Sequence, residues 1–544
     1  MTTTTRQRTW RLVTAVLAAT LAVGPGAGTL ARAADPQPIP PITLVTWTKA
    51  QYPVQYEEAF VLAEAWKKLG LEVKVDPLNF PNPFLERAFK TRDFDGVIIY
   101  FTAQLERLDP DFYTYNAFHS SRAVEGGWNF AGIQDKDLDA LLEAQRTEYD
   151  LGKRKAIVEQ IQERLHHESA WLVMVNQDEL MAYNKANFGD PIIPKVSGFN
   201  DPQAFFSLKP KGTRKLVRWA SPISDLKTIN PILASESSQI RILYLAYDTL
   251  VKYGPDTKPA PWAASEVKAV DPTTVEVTLR PDLKFHDGQK LTAADVKFTF
   301  DLLIKHNAPY FRTALEPVKS VEVVNPAKVR FTLKRPYAPF TTQTLAMTPL
   351  LPKHVWEKIE KPTEHENIPA IGSGVYRFDH WKKGQEVKFS RFAEHFKPAA
   401  NDGVLVVFFG TREGAYTALL KQEADVVDRL LAHQVDELQK VDHVQVVRVP
   451  SNAADTVALN ARRKPFDDPR FRQALNHAIP RKQILGEFYN GFGNLGASVI
   501  APANETWTSP KVQPYDHDLE RAKDILRKAG YQWDARGRLA FPPR

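Results

Sequence analysis

The sequence of 544 residues contains no cysteine and only 26 glycines. Without cysteine the chain can form no disulfide, no thiolate zinc site and no thiol-linked lipid anchor. Glycine is scarce beside 40 prolines, which favours stiff loops over flexible linkers. No apolar run reaches the roughly 20 residues of a membrane-spanning helix. No run of Lys and Arg is long enough to follow a phosphate backbone, so nucleic acid is not an expected partner.

The composition is that of a folded, water-exposed protein of several domains. Hydrophobic residues make up 43% of the chain and charged residues 25%, and the length predicts about three domains. The formal net charge is +7, but four arginines lie in the first 33 residues, which contain no acid. The remainder is therefore close to neutral.

Those first 33 residues have the pattern of a cleavable export signal. Arg6, Arg8 and Arg11 precede the apolar stretch Leu12–Val23, and Ala31-Arg32-Ala33 supplies a small-x-small cleavage site. A stretch of this length is too short to cross a bilayer. We expect an exported protein that begins at Ala34.

The next 130 or so residues alternate between strand and helix patterns. The predicted strands are Ile42–Trp47, Leu71–Val75, Gly96–Phe101 and Trp171–Val175, and the predicted helices are Glu57–Leu69, Pro83–Lys90, Asp137–Glu148 and Gly152–His167. This order predicts an α/β fold with a parallel sheet.

Later segments give a more mixed pattern. Phe205–Leu208 and Lys215–Ala220 are predicted as two strands joined by a basic loop, and Thr274–Leu279 and Val329–Leu333 alternate as strands of a small antiparallel module. A helix is predicted over Leu519–Ala529, after Asp518 and before Gly530.

Several motifs together resemble the family 5 extracellular solute-binding proteins, the peptide- and nickel-type binding components of ABC importers. They are Trp262-Ala263-Ala264-Ser265, Lys284-Phe285-His286-Asp287-Gly288, Leu291-Thr292-Ala293-Ala294-Asp295-Val296, Ile371-Gly372-Ser373-Gly374-Val375-Tyr376 and the segment Pro465–Leu475. Each motif is moderately specific, and their conjunction is strong. The resemblance covers nearly all of residues 42–544.

The order of the segments differs from the family pattern. The segment that resembles the family's C-terminal part, about 42–210, precedes the segment that resembles its N-terminal part, about 215–544. This order indicates a circular permutation with the new join at Lys209–Lys215. The alternative is a fusion of two incomplete lobes near Gly212. Permutation is physically acceptable because domain termini are often close together.

The resemblance implies a two-lobed periplasmic binding protein type II fold, in permuted order, with an inserted α+β module. The first lobe would combine residues 189–260 with 372–466, the module would be 261–371, and the second lobe would combine 34–188 with 467–544. A ligand would lie between the lobes, which close on it.

Matching to the family places Thr102 and Gln104 in a cleft-lining segment after the strand Gly96–Phe101. In dipeptide-binding relatives an Asp in this region holds the peptide ammonium, and neutral Gln104 cannot supply that charge. Glu106 is the alternative countercharge. The full set of candidate ligand-binding residues is Asn82, Tyr100, Phe101, Thr102, Gln104, Trp128, Ser238, Gln239, Asp428 and Arg429. For each residue the competing interpretation is a structural one: capping, solvation or core packing.

The 11 tryptophans raise the possibility of sugar stacking, and Trp128, on a predicted loop, is the best exposed candidate. We predict no metal site, because no histidines show a chelating spacing. We also predict no cofactor and no catalytic residue, because no hydrolase or nucleotide-binding motif is present. Asp109 and Asp111 could imitate a catalytic carboxylate pair, but Asp-Pro-Asp more often forms a turn and helix cap.

The sequence therefore predicts a monomeric periplasmic binding protein that delivers a peptide or peptide-like solute to an ABC permease. An oligosaccharide- or opine-binding protein is an alternative, as is a periplasmic ligand sensor or chaperone. A hydrolase acting in the same cleft is the remaining alternative.

Overall fold

The computed structural model describes residues 37–542, except for the side chain of Glu106. The predicted signal, residues 1–33, therefore lies outside the described residues. Strands and helices are numbered along the chain. Within the described part, no helix is both long and apolar enough to span a bilayer.

The second lobe is built on a mixed six-stranded sheet. In spatial order it contains β2 (Val73–Leu78), β1 (Ile42–Trp47), β3 (Gly96–Phe101), β20 (Ala454–Leu459), β4 (Trp171–Gln177) and β21 (Gly493–Leu495). The first three strands are parallel, as the alternating pattern predicts. Strand β20 is antiparallel to β3, which the local pattern could not indicate because the two strands are far apart in sequence.

The first lobe is built on a seven-stranded sheet. In spatial order it contains β15 (Tyr376–Lys382), β16 (Glu386–Arg391), β17 (Gly403–Phe408), β8 (Leu216–Ser221), β18 (Val426–Val427), β5 (Glu179–Asn184) and β19 (Val444–Val449). A four-stranded antiparallel sheet forms the module: β11 (Ala264–Asp271), β12 (Thr274–Leu279), β14 (Lys328–Leu333) and β13 (Val318–Asn325). One continuous apolar core joins this module to the first lobe.

The remaining strands form short two-stranded pairs. They are β6 (Phe188–Gly189) with β7 (Lys209–Pro210), β9 (Val251–Tyr253) with β10 (Pro259–Pro261), and β22 (Gln532–Trp533) with β23 (Leu539–Ala540).

Helices cover the sheets and supply most of the remaining core. In the second lobe they are α1 (Pro53–Lys67), α2 (Pro110–Phe118), α3 (Lys136–Thr147), α4 (Leu151–Glu168), α13 (Pro469–His477), α14 (Arg481–Tyr489) and α15 (Leu519–Lys528). In the first lobe and module they are α5 (Pro202–Ser207), α6 (Ser237–Ala246), α7 (Ala293–Lys305), α8 (Arg312–Leu315), α9 (Thr344–Met347), α10 (Lys353–Trp356), α11 (Arg412–Leu420) and α12 (Ala432–Leu438).

Several predicted boundaries need correction. Helix α1 begins earlier than predicted because Pro53 occupies its first turn, where a missing N–H costs nothing. The segment predicted as helix over Pro83–Lys90 is helical, but it begins and ends slightly later and is wound as a π-helix over Glu86–Thr91. The predicted strand Phe205–Leu208 is wrong. Residues Pro202–Ser207 form α5, because Asp201 caps the helix through the backbone N–H of Gln203 and Pro202 starts its first turn.

The chain crosses between the two large sheets at only two places within residues 37–542. Strand β4 continues through Asp178 into β5, and β19 continues through residues 450–453 into β20. The crossings lie side by side, since the Ser451 hydroxyl donates to the Gln177 carbonyl oxygen at 2.7 Å. Two adjacent crossings are the geometry of a hinge. They do not coincide with the predicted lobe boundaries after residues 188 and 466.

Candidate functional site

The candidate site is the contact between the lobes beside the hinge. Its second-lobe side comes from the end of β3 and the segment after it, where Thr102 and Gln104 lie. Its first-lobe side comes from the start of α6 and from the loop after β18. The end of β3 lies beside the hinge, since Phe101 pairs with Ala454 at the start of β20.

Several hydrogen bonds cross the contact directly. The Thr102 hydroxyl lies 3.4 Å from that of Ser237, and Arg107 donates to the Ser237 hydroxyl at 2.9 Å. The Tyr310 hydroxyl donates to Gln104 Oε1 at 2.8 Å. These bonds hold the lobes together in the state that the structure describes.

Gln104 lies at the contact between the lobes, with only 3% of its surface exposed. Its backbone N–H donates to the Asn452 side chain, and its carbonyl oxygen accepts from the Asn452 amide, so this segment is fixed to the hinge. Among the described residues, Nε2 of Gln104 has no hydrogen-bond partner. A buried donor without a partner is costly and is available to a ligand.

Two arginines of the first lobe face acidic and phenolic groups of the site. Arg429 follows β18 and has 19% of its side chain exposed; its Nε lies 3.9 Å from the Asp428 carboxylate. Burial lowers the pKa of Arg429, but Asp428, Tyr100 and Glu179 raise it above its usual value. Burial raises the pKa of two nearby phenols, Tyr52 and Tyr100, and Arg412, the first residue of α11, opposes this rise together with Arg429. The site therefore carries positive charge on its first-lobe side.

The groups opposite these arginines are buried and costly to ionise. Burial raises the pKa of Tyr100, and Glu179 raises it further, whereas Arg429 and Arg412 oppose the shift. Burial also raises the pKa of Glu179, with Arg429 opposing. Glu179 Oε1 lacks a hydrogen-bond partner among the described residues. Within the described part of the chain, the site thus contains arginine side chains, the Glu179 carboxylate with an unpaired Oε1, and the Gln104 amide with an unpaired Nε2.

Arg429 rests on a buried ion pair within the first lobe. Asp428 is 1% exposed, accepts from Trp219 Nε1 at 3.0 Å and pairs with Arg241 at 2.7 Å. Burial raises the pKa of Asp428, but Arg241 and Arg429 lower it by more. The pKa therefore lies below its usual value. Asp428 is therefore occupied by the protein and acts by holding the loop that presents Arg429.

The other predicted residues lie elsewhere or have structural roles. Phe101 belongs to the core, stacked 5.4 Å from Trp171. Trp128 is half-buried and stacks 5.8 Å from Phe101, so it is not the exposed platform that the sequence suggested. Gln239 caps α6 through the N–H groups of Ser235 and Glu236, and Asn82 is exposed on the loop after β2.

The contact to the first lobe is made by Ser237, whereas Ser238 is half-buried beside it. Sequence reasoning missed Ser237, Glu179, Arg412, Tyr310 and Asn452. Glu179 carried a usable signal, because an acid inside a buried strand pattern is rare unless it has a role. Ser237 and Tyr310 carried no comparable signal in the sequence. The side chain of Glu106 lies outside what the structure describes.

Asp109 and Asp111 form a turn and a helix cap, as predicted, and each also has an ion-pair partner. Asp109 caps α2 through the N–H of Asp111, and it pairs with Arg154 at 2.6 Å. Asp111 lies 3.1 Å from Arg146. All four side chains are buried in the second lobe against the module.

Comparison with known proteins decides the family. The sequence profile of the bacterial extracellular solute-binding proteins, family 5 Middle, matches residues 258–542, just over half of the chain. The chain belongs to this family. The glutathione-binding protein GsiB of Salmonella typhi is 26% identical over 312 residues, which are 57% of this chain and 60% of GsiB. The solute-binding chain thus spans well under two thirds of that relative's length.

Solved structures show the same fold. The ABC transporter substrate-binding protein CtaP of Listeria monocytogenes is 27% identical, with a TM-score of 0.51 over 58% of this chain and 65% of CtaP. The oligopeptide-binding protein AppA of Bacillus subtilis, solved with a nonapeptide, is 24% identical, with a TM-score of 0.51 over 60% of this chain and 66% of AppA. The fold of the solute-binding chain is the α/β fold of the type II periplasmic binding proteins.

Proposed function

We propose that this chain is the solute-binding component of an ABC importer and captures a peptide or peptide-like solute between its lobes. The observation that carries the proposal is the polar contact beside the two-crossing hinge, where Gln104 Nε2 and Glu179 Oε1 are buried without a hydrogen-bond partner among the described residues and Arg429 lies beside Asp428. Membership of the solute-binding family and the names of GsiB, CtaP and AppA support it.

The charges of the site favour a solute with a carboxylate. Arg429 and Arg412 suit a carboxylate, since guanidinium groups bind it through paired hydrogen bonds. Glu179 Oε1 would accept from an ammonium or amide N–H of the same solute, and Gln104 Nε2 would donate to one of its carbonyl oxygens. A peptide carries all three groups. An uncharged oligosaccharide would leave the arginines without a countercharge.

Ligand binding is tested first by mass spectrometry of the native protein, to identify any co-purified solute. Thermal shift against peptide, glutathione, opine and oligosaccharide panels then gives the ligand class, because a ligand that binds only the folded state raises the melting temperature. We expect Arg429→Gln to lose the shift given by a carboxylate-bearing peptide. Arg470→Gln, an exposed arginine of α13, is the matched control. An unchanged shift in Arg429→Gln would refute this assignment.

The proposal also places the mature protein in the periplasm, without covalent chemistry of its own. Cell fractionation and N-terminal sequencing test the location, with Ala34 as the expected first residue. Recovery of the bound solute with unchanged mass after prolonged incubation tests the absence of turnover. Chemical conversion of the solute would favour the hydrolase alternative.

We also propose that the family's two segments occur here in circularly permuted order. Both ends of the described chain lie in one lobe: β1 and α15 pack against the same apolar core. The N–H of Phe541 donates to the Gln37 carbonyl oxygen at 2.9 Å, and Pro38 pairs with Ala540. The proposed join at Lys209–Lys215 is largely exposed and links β7 to β8. The match to GsiB covers 60% of that protein, which is what a match to one of two reordered segments would give.

A further inference from the structure

A second pocket lies on the first lobe, away from the contact between the lobes. Its volume is about 330 Å³, and it shares no lining residue with the hinge-side site. It lies where the β9–β10 hairpin meets the segment 396–397, and its wall is mainly apolar, formed by Tyr253, Pro255, Pro261, Trp262 and Phe396. This volume is in the range of small-molecule sites and far exceeds that of a single bound ion.

Three cations line the same pocket. Lys252 Nζ lies 4.5 Å from the ring centre of Trp262, Lys397 Nζ lies 5.3 Å from it, and the Arg280 guanidinium lies 4.8 Å from the ring centre of Phe396. No carboxylate lies within 4.0 Å of Lys252 or Lys397 among the described residues. The pocket is therefore electropositive as well as aromatic.

Lys252 is the decisive group. Its Nζ is buried, and it has no hydrogen-bond partner among the described residues. Burial lowers its pKa, which Asp248 and Asp201 only partly oppose. Both acids have other partners: Asp248 accepts from Trp262 Nε1 at 2.7 Å, and Asp201 accepts from the N–H of Gln203 at 2.8 Å. A buried ammonium without a close countercharge is costly, and a bound anion would remove that cost.

We propose that this pocket binds a small organic carboxylate with a flat aromatic body. The carboxylate would pair with the exposed Lys397, with the buried Lys252 ammonium as additional positive charge beside it, and the ring would pack against Phe396 and the prolines. Arg280 is less available, because its Nε donates to the Trp262 carbonyl oxygen at 2.5 Å. Neither a lone inorganic anion nor a neutral aromatic compound satisfies both the cations and the apolar wall. This site is independent of the solute proposed for the hinge-side cleft.

The test uses the full-length protein and isothermal titration with benzoate. Benzamide, which has the same shape without the charge, and inorganic phosphate, which has the charge without the ring, are the comparison probes. We expect benzoate to bind and both comparison probes to bind at least roughly tenfold more weakly, since benzamide lacks the charge-assisted hydrogen bond and phosphate lacks the apolar ring.

Two lysine variants locate the site. Lys252→Met and Lys397→Met should each weaken benzoate binding at least about fivefold. Lys258→Met, an exposed lysine next to the same hairpin, should leave it unchanged. Lys397 is exposed, so its variant tests the proposal even if Lys252→Met fails to fold. Absence of benzoate binding, equal binding of benzamide or phosphate, or unchanged binding in Lys397→Met would overturn the proposal.

Arg429→Gln separates this site from the hinge-side cleft. Benzoate should bind the Arg429→Gln variant as it binds the original chain. Loss of benzoate binding in that variant would show that benzoate enters the cleft instead, and the second site would then be rejected.

Discussion

The backbone N–H of Ile39 donates to the carbonyl oxygen of Leu539 at 2.9 Å, so residues 500 positions apart are neighbours in one lobe. Around this bond, Gly70 accepts from the N–H of Leu539, and Trp533 donates to the carbonyl oxygen of Leu69. Strand β1 and helix α15 thus share a core although they lie near opposite ends of the described chain. This arrangement is what joined ends of an unpermuted relative would require.

A reordered chain tests the permutation directly. Residues 214–542 would be followed by a short Gly-Ser linker and then by residues 37–211, which opens the exposed loop at Gly212 and closes the ends at Phe541 and Gln37. We expect cooperative thermal unfolding within a few degrees of the original chain, because the loop opened carries few buried contacts. The measurement is a melt followed by near-ultraviolet circular dichroism.

A chain opened inside β8 (Leu216–Ser221) is the control for that experiment, and it should not fold, because β8 lies between β17 and β18 in the first-lobe sheet. If the chain opened at Gly212 behaves like the control, the two segments do not form one exchangeable unit, and the permutation proposal fails.

The ion pair beneath Arg429 gives a stability prediction. Arg241→Met removes the partner of Asp428 and leaves that buried carboxylate with Trp219 and the more distant Arg429. Breaking a buried pair in this way typically costs about 3–5 kcal/mol of unfolding free energy. Urea denaturation of both proteins measures the difference. Arg470→Met breaks an exposed pair with Asp468 and should cost less than about 1 kcal/mol. Equal losses in the two variants would contradict the importance given to the buried pair.

Tyr337 of the module forms a hydrogen bond to the second lobe and should stabilise the contact between the two. Its hydroxyl lies 3.0 Å from Asp111 Oδ2, and Thr342 of the same module donates to Asp109 at 2.7 Å. Tyr337→Phe should weaken the free energy of the contact between the module and the second lobe by about 1–3 kcal/mol, because the buried carboxylate of Asp111 loses a donor. Small-angle scattering of the ligand-free protein should then show a larger radius of gyration.

Tyr416→Phe is the matched control for that variant, because Tyr416 bonds to Glu437 within the first lobe. It should leave the radius of gyration unchanged. An unchanged radius in Tyr337→Phe would show that the Tyr337 hydroxyl does not hold the lobes together.

The local elements were largely predictable from the sequence, whereas their partners were not. Ile42–Trp47 and Gly96–Phe101 are strands with the predicted bounds, because long apolar runs leave little choice of conformation. Phe205–Leu208 was mispredicted because its aromatic residues suit a strand, while Asp201 and Pro202 together start a helix. The helix cap formed by Asp201 outweighed the strand propensity of the aromatic residues in this segment.

The candidate site was predictable only in part. Matching to the family nominated Gln104 and Arg429 as ligand-binding residues; both lie at the contact between the lobes, and their binding role stays a prediction. Trp128 was misjudged, because a loop position in the sequence does not reveal that Phe101 covers the ring. Ser237 and Tyr310 could not be found, since their contacts depend on how two lobes separated in sequence meet.

A buried acid pair in the second lobe predicts an unusual dependence of stability on pH. Tyr489 contacts both Glu58, at 3.1 Å, and Asp455, and Gln55 donates to Asp455 at 3.0 Å. One phenolic hydrogen cannot serve two carboxylates, so the arrangement needs an additional proton on one acid. Burial raises the pKa of Asp455 from 3.8 to about 6, and burial together with Asp455 raises the pKa of Glu58.

The direction of the effect follows from these shifts. Between pH 3.8 and about 6 the folded protein holds more protons at Asp455 than the unfolded chain does. The free energy of unfolding should therefore fall as pH rises through this interval. Asp455→Asn imitates the protonated acid at every pH, so it should flatten that fall when urea denaturation is followed from pH 4 to pH 7. Asp524→Asn, at an exposed pair with Lys528, should leave the fall intact. If Asp455→Asn keeps the full slope, the proton does not reside on Asp455.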